Sequence, residues 1–178
     1  EILAAFNIPV VMIPGFEADD VIGSMATQWE KDDTQIFMVT PDKDYGQLIT
    51  QNIFQYKPGK GGNEVEIIGK KEVCEHYGIC EPEKVIDILT IWGDSSDNVP
   101  GIRGIGEVGA KKLIGKYGSL ENIIAHADEL PAKQQEAVKS SLEQIQMSRF
   151  LVTIKRDIQL PLGVEEITLK GTDSASVE

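Results

Sequence analysis

Three tight groups of carboxylates mark the chain: Glu17, Asp19 and Asp20, then Asp42 and Asp44, then Asp94 and Asp97. The first two directly follow apolar runs. Val10-Val11-Met12-Ile13 ends at Pro14-Gly15, and Ile36-Phe37-Met38-Val39 ends at Thr40-Pro41, so both groups are expected where a buried parallel strand gives way to a loop. Open α/β sheets place their ligands there. Like charges crowded at one sheet edge raise one another's pKa, so seven such carboxylates need positive charge among them to stay ionised. Bound cations would supply it. None of the groups contains His or Cys, and an oxygen-only donor set suits Mg²⁺ or Mn²⁺ better than zinc. Two or more such ions, and two-metal hydrolysis of a phosphodiester, are the chemistry this pattern favours.

Each group also has an ordinary reading. Glu17, Asp19 and Asp20 fall in the opening turn of an expected helix 17–31, where the helix dipole favours negative side chains. Asp42-Lys43-Asp44 could be a turn with a solvated ion pair, and Asp94-Ser95-Ser96-Asp97-Asn98 a polar loop with capping residues. Three such coincidences at the ends of elements favour a metal centre.

The elements that must position these groups come in two styles. Up to about residue 56 the chain alternates in the α/β manner: strand 10–13, helix 17–31, strand 35–40, short helix 43–49, strand 52–56. A turn over 58–63 leads to strand 64–68. From Lys70 apolar residues recur at helical spacing in segments 70–77, 82–92, 107–117, 119–126, 131–144 and 146–154. The expected organisation is a partial α/β core over 1–69, a helical subdomain over 70–156, and a tail or linker over 157–178. The three strands of the α/β part make a thin sheet with an unpaired edge, so preceding strands are expected in a longer protein.

Composition bounds the rest. The 178 residues are 41% hydrophobic, enough for a globular interior. No apolar run is long enough to span a membrane and no basic-apolar leader is present, so a cytoplasmic monomer without a membrane partner is expected. Two cysteines, Cys74 and Cys80, fit a reducing compartment. With His76 they suggest zinc only weakly, since a fourth ligand is missing and the segment has helical spacing; packing is the better account. The net charge of −12 opposes nucleic-acid binding by a broadly basic face, so any DNA contact must use a local patch of cations or backbone donors.

Such a patch is legible in Gly101-Ile102-Arg103-Gly104-Ile105-Gly106-Glu107-Val108-Gly109-Ala110-Lys111-Lys112-Leu113-Ile114. It has the form of a helix-hairpin-helix. Gly104 and Gly106 allow a tight turn with amides exposed at a helix N-terminus, an arrangement that holds a phosphate without side-chain charge. Lys111, Lys112 and Lys116 follow. The competing account is a packed helix corner where only glycine fits.

At these residues the chain resembles the 5′-3′ exonuclease and flap endonuclease family, most closely the nuclease domains of bacterial DNA polymerases I. Gly15-Phe16-Glu17-Ala18-Asp19-Asp20-Val21-Ile22-Gly23 is similar to the family's glycine-aromatic-EADD motif, Thr40-Pro41-Asp42-Lys43-Asp44 to its DKD motif, and Gly93-Asp94-Ser95-Ser96-Asp97-Asn98-Val99-Pro100-Gly101 to its GDxSDN-P-G motif. The hairpin follows in the family's order.

The resemblance implies a partial three-layer Rossmann-like (PIN-like) sheet with a C-terminal all-helical subdomain. It implies Glu17, Asp19, Asp20, Asp42, Asp44, Asp94 and Asp97 as metal ligands, with Asp19, Asp42, Asp44 and Asp97 catalytic. Arg103, Gly104, Gly106, Gly109, Lys111 and Lys112 become the DNA grip, with a K⁺ ion in the hairpin. The implied partner is DNA with 5′ ends, flaps and duplex downstream of the cut, and covalently linked polymerase domains are expected beyond the C-terminus. Family members also begin with a strand bearing a further ligand Asp, and carry a basic helical arch; without these an incomplete, weakly active enzyme is expected. The rival readings are a non-catalytic helix-hairpin-helix DNA-binding module and, more remotely, a toxin-type ribonuclease, which would lack the long helical half.

Overall fold

A computed structural model describes residues 2–59 and 65–171. The chain divides into two compact units, one formed by Glu1–Trp29 with Lys155–Glu178 and the other by Glu30–Ile154. No described helix is long and apolar enough to cross a membrane.

In the first unit a one-turn helix α1 (Ile2–Ala5) precedes α2 (Ala18–Trp29). The carbonyl of Glu17 accepts the amide of Val21, 3.2 Å, which starts α2 at the residue after Glu17. Asp19 and Asp20 then lie in its first turn, where exposed amides and the dipole favour negative charge. The buried stripe of α2 includes Val21, Ser24 and Ala26. The segment 155–158 straps this helix. Ser24 Oγ donates to Lys155 O and accepts the amide of Ile158, both 3.2 Å, while Gln28 Nε2 donates to Ile158 O at 2.9 Å. Ile158 is thereby buried.

The expected strand at 10–13 is absent. A strand exists by pairing its backbone groups along a ladder, and the described part of this unit contains no second strand to supply one. Val10 and Met12 are 71% and 84% exposed.

The larger unit begins with a sheet of order β1-β2-β3, formed by β1 (Ile36–Val39), β2 (Ile53–Pro58) and β3 (Val65–Ile68). β1 pairs parallel with β2, Ile36 opposite Ile53, and β2 pairs antiparallel with β3, Gln55 opposite Ile68. The crossover between the parallel pair is a short 3₁₀ helix, Lys43–Leu48. Of the turn expected at 58–63, residues 60–63 lie outside the described residues.

Helices follow: α3 (Lys70–Tyr77), α4 (Val85–Trp92), α5 (Glu107–Tyr117), α6 (Leu120–Ala125), α7 (Ala132–Ser140) and α8 (Leu142–Val152). The α/β-then-helical fold class is borne out. Two boundaries differ. Pro82 opens a 3₁₀ turn, Pro82–Lys84, so α4 starts only at Val85; proline lacks the amide but suits a first turn. The break expected near residue 145 falls at Ser141, whose carbonyl accepts the amide of Ile145 (2.8 Å) and starts α8.

The core of this unit is built on α4. Val85, Ile88, Leu89 and Ile91 have no exposed surface, and α4 packs on α5, on α8 and on the 3₁₀ helix. It also buries a charge. Asp87 is 2% exposed and meets Arg149 Nη2 from α8 at 3.0 Å, Lys84 Nζ at 3.4 Å and the amide of Leu120 at 3.4 Å.

A carboxylate so placed is tolerated only while its partners remain. Arg149→Met should therefore destabilise the fold by about 1–3 kcal/mol, less than a fully buried pair because the guanidinium is partly exposed. Urea denaturation checks this, with Glu121→Gln as control, since Glu121 is an exposed second partner of the same arginine.

Candidate metal centre

The loop after β1 is shaped by side-chain bonds to backbone. Thr40 continues the ladder to Tyr56 O (3.1 Å), and its hydroxyl accepts the amide of Asp42 at 3.2 Å. Asp42 Oδ1 accepts the amide of Asp44 at 2.9 Å, which caps the 3₁₀ helix. Gln55, buried on β2, donates to Thr40 O (2.9 Å) and Asp42 O (2.6 Å). Gln47, also buried, donates to Asp44 O (3.0 Å) and Val152 O (2.8 Å) and accepts the amide of Ile154 (3.0 Å). Two buried glutamines thus fix the backbone on both sides of Lys43.

The second loop leaves α4 through Gly93, whose φ of +79° ends the helix. A Cβ on Gly93 would strike the backbone of Gly101 and Val99, and a Cβ on Gly101 would strike Trp92 and Gly93, so these two strands of chain touch only because both residues are glycine. Asp94 and Val99 exchange amide bonds of 2.9 and 2.7 Å that close the loop between them. Asp94 Oδ1 accepts the amide of Ser96 at 2.8 Å, and its Oδ2 accepts the ammonium of Lys43.

These loops bring Asp44, Asp94 and Asp97 together, with one ligand oxygen from each lying within 4.8 Å of the others. Asp94 is buried, Asp44 half-buried and Asp97 exposed. Burial, opposed by Lys43 and reinforced by Asp42, Asp94 and Asp97, pushes the Asp44 carboxyl up to about 6. The Lys43 hydrogen bond, with the Ser96 and Asp97 amides, holds Asp94 below the usual carboxylate range. Asp44 Oδ1 is buried without a hydrogen-bond partner. A buried, unpartnered oxygen on a carboxyl clustered with two others fits a hard divalent cation, which supplies the missing partner and charge at once.

Of the other predicted ligands, Asp42 stands at the edge of this loop as a cap. Glu17, Asp19 and Asp20 sit at the start of α2 in the other unit, where Asp20 Oδ1 accepts the amide of Lys155 (2.9 Å). Sequence reasoning missed Gln47, Gln55 and the cationic role of Lys43. No spacing rule identifies a buried glutamine; its only signal was an amide in an otherwise apolar stretch.

The hairpin has a mixed construction. Ile102 and Ile105 are buried beneath it, with Ile102 N donating to Ile91 O at 2.7 Å. Gly104 has a φ of +81°, Gly106 caps α5, and a Cβ on either would meet nothing within 4 Å. Packing therefore does not demand the Gly106 glycine, and both backbones are open to an approaching group. Gly109 differs, its Cβ meeting Ile105 Cγ2 at 3.0 Å. Lys111 is engaged inside the protein, with Glu107 at 2.6 Å, His76 at 3.3 Å and the Tyr77 ring centroid at 4.8 Å. Arg103 and Lys112 are exposed and have no ion pair among the described residues.

Two sequence profiles cover the chain: the N-terminal resolvase-like domain of 5′-3′ exonucleases over residues 1–78 and their C-terminal SAM fold over residues 80–175. The chain belongs to the 5′-3′ exonuclease family. It is 34% identical over 178 residues to DNA polymerase I of Bacillus caldotenax, covering 99% of this chain and 20% of that protein. It is 35% identical over 173 residues to a 5′-3′ exonuclease of Aquifex aeolicus, covering 97% and 57%. The chain thus spans about a fifth of the polymerase and just over half of the exonuclease. In fold it resembles the flap endonuclease of bacteriophage T5 solved as a pseudo-enzyme-product complex with DNA and metal ions, at TM-score 0.67 and 23% identity, over 81% of this chain and 52% of that one.

The state of Asp44 gives this chain a stability and binding signature. Above pH 6 the wild-type carboxyl is ionised in the fold at a cost, whereas below about pH 4 it is protonated in folded and unfolded chains alike; without metal, its contribution to stability is lost as pH rises through that window. At pH 8 in EDTA, Asp44→Asn should raise Tm by roughly 2–4 °C, and the difference should vanish near pH 4. Mn²⁺ affinity should fall as pH drops below about 6, because the proton competes for Asp44. Calorimetric melting and titration measure both. Gly101→Ala should weaken Mn²⁺ binding and lower Tm together, since the backbone approach that places Asp94 is lost.

Proposed function

We propose that this chain carries the metal-binding and DNA-gripping parts of a 5′-3′ exonuclease and flap endonuclease, hydrolysing phosphodiester bonds at 5′ ends and flaps during replication and repair. The observation that carries this reading is the unpartnered Asp44 Oδ1 within a cluster with Asp94 and Asp97. Its oxygen-only donors suit Mg²⁺ or Mn²⁺. Asp44, Asp94 and Asp97 would hold one ion, and Asp42, Glu17, Asp19 and Asp20 stay the further ligands that the family resemblance implies. Bound there, such ions lower the pKa of a water and offset phosphate charge.

The protein's own contributions are positional. The Ser96 and Val99 bonds fix Asp94, the two buried glutamines fix the Asp42–Asp44 backbone, and Asp44 offers an oxygen that no protein donor satisfies. The open amides at Gly104 and Gly106, with Arg103 and Lys112, would grip a phosphate backbone without reading bases. The DNA in the bacteriophage T5 complex supports that assignment. Residues 1–69 would then form the nuclease core and 70–156 the helical DNA-binding part, acting beside polymerase domains as the relatives' name implies.

Two measurements test this. In Mg²⁺, single-turnover cleavage of a 5′-flap duplex should fall on the order of a hundred- to a thousandfold in Asp94→Ala; equal rates would overturn the catalytic reading and leave a DNA-binding module. Replacing Arg103 and Lys112 by Ala should weaken duplex binding about equally across sequences and reduce the salt slope by up to about two units. Lys111→Ala should change the slope less, because its ammonium is already held by Glu107.

A further inference from the structure

The cation nearest the Asp44, Asp94 and Asp97 cluster is a side chain of this protein. The Lys43 ammonium bonds Asp94 Oδ2 and stands 3.6 Å from Asp44 Oδ1. It also lies 5.4 Å from the centroid of the Trp92 ring. The Asp94 side chain is 6% exposed, so water has little access to replace these partners. Its two oxygens are assigned, Oδ1 to the Ser96 amide and Oδ2 to Lys43.

A divalent ion that takes an oxygen of Asp94 must therefore compete with an ammonium already seated there. Two cations on one carboxylate oxygen repel each other strongly in a partly dry site, so simultaneous occupation is disfavoured. Lys43 has a route away from Asp94. Its side chain is about one-third exposed, and the face of Trp92 offers a second, weaker cation site.

We propose that Lys43 is the resident counter-ion of the metal centre: its ammonium neutralises Asp94 and Asp44 when no metal is bound, gives up Asp94 to an incoming divalent ion, and so sets metal affinity by competition. The proposal rests on the reading of the cluster as a metal centre. Its consequences have opposite signs. The ammonium holds the mutually repelling Asp94 and Asp44 carboxylates together in the metal-free fold, and it lowers the affinity of the cluster for metal.

The experiment is Mn²⁺ titration by calorimetry, with thermal melting in EDTA, on wild type, Lys43→Met and Lys43→Arg. Methionine keeps an unbranched stem against Trp92 and removes the charge. Losing a charge-assisted hydrogen bond that metal must break should tighten Mn²⁺ binding about 10- to 100-fold in Lys43→Met while lowering Tm in EDTA. Arginine keeps the charge and can hold Asp94 through two donors, so Lys43→Arg should bind Mn²⁺ no more tightly than wild type. If wild type binds no Mn²⁺, the metal-centre reading falls and the proposal with it. If wild type binds Mn²⁺ but Lys43→Met binds it equally or more weakly, the counter-ion proposal alone is overturned, and Lys43 is then a positioning residue for the ligands. Should Lys43→Met fail to fold without metal, the Arg variant still decides, because tighter binding in a variant that retains the charge contradicts competition.

Discussion

The larger unit depends on one backbone approach: Trp92-Gly93 at the end of α4 against Gly101. The inner face of α4 is fully buried, so its C-terminus has little freedom, and the chain that leaves it must return within eight residues to touch it again. Only two facing glycines permit that contact. From this crossing hang both functional features, the loop that presents Asp94 and Asp97 and the hairpin that follows at Ile102. Gln144 Nε2 and Ser148 Oγ from α8 hold the carbonyls of Gly101 and Pro100 from the other side. The candidate metal cluster and the hairpin are therefore coupled through core packing, and damage to α4 or α8 should be felt in both.

Electrostatics works against packing beside the same loop. Asp44 is placed where burial and three neighbouring carboxylates disfavour its charge, and its Oδ1 has no donor. A fold selected for stability alone would put an asparagine or a solvated residue there. The strain is relieved only in part by Lys43, which satisfies Asp94 more fully than Asp44. Sites that bind metal ions carry such unfavourable charge as a matter of course, because the cation supplies the compensation. Asp87 shows the contrasting solution: it is buried as deeply as any carboxylate here, yet Arg149, Lys84 and a backbone amide satisfy it, which marks it as structural.

The same contrast separates the hairpin's cations. A count of lysines near Gly104 and Gly106 treats Lys111 and Lys112 as equivalent. One helical step apart, they meet different surroundings, Lys111 folding onto Tyr77 and Glu107 while Lys112 faces solvent. On an acidic protein that difference decides which charges remain available to phosphate.

The sequence alone determined the local grammar. Carboxylates at the ends of apolar runs, glycines at tight turns and apolar residues at helical spacing specified α2, the sheet of β1 to β3, most helices and the three acidic groups, because these depend on neighbours within a few residues. It misjudged residues 10–13, where apolar character was present but a strand requires a partner that local sequence cannot supply. Tertiary structure decided the rest: that Asp94, fifty residues from Asp44, shares its space; that Lys43 answers Asp94; that Gln47 and Gln55 brace the loop; and that Lys111 is engaged where Lys112 is not. Each of these is set by contacts between segments distant along the chain, and the energy of a buried charge or amide depends on what those segments bring to it.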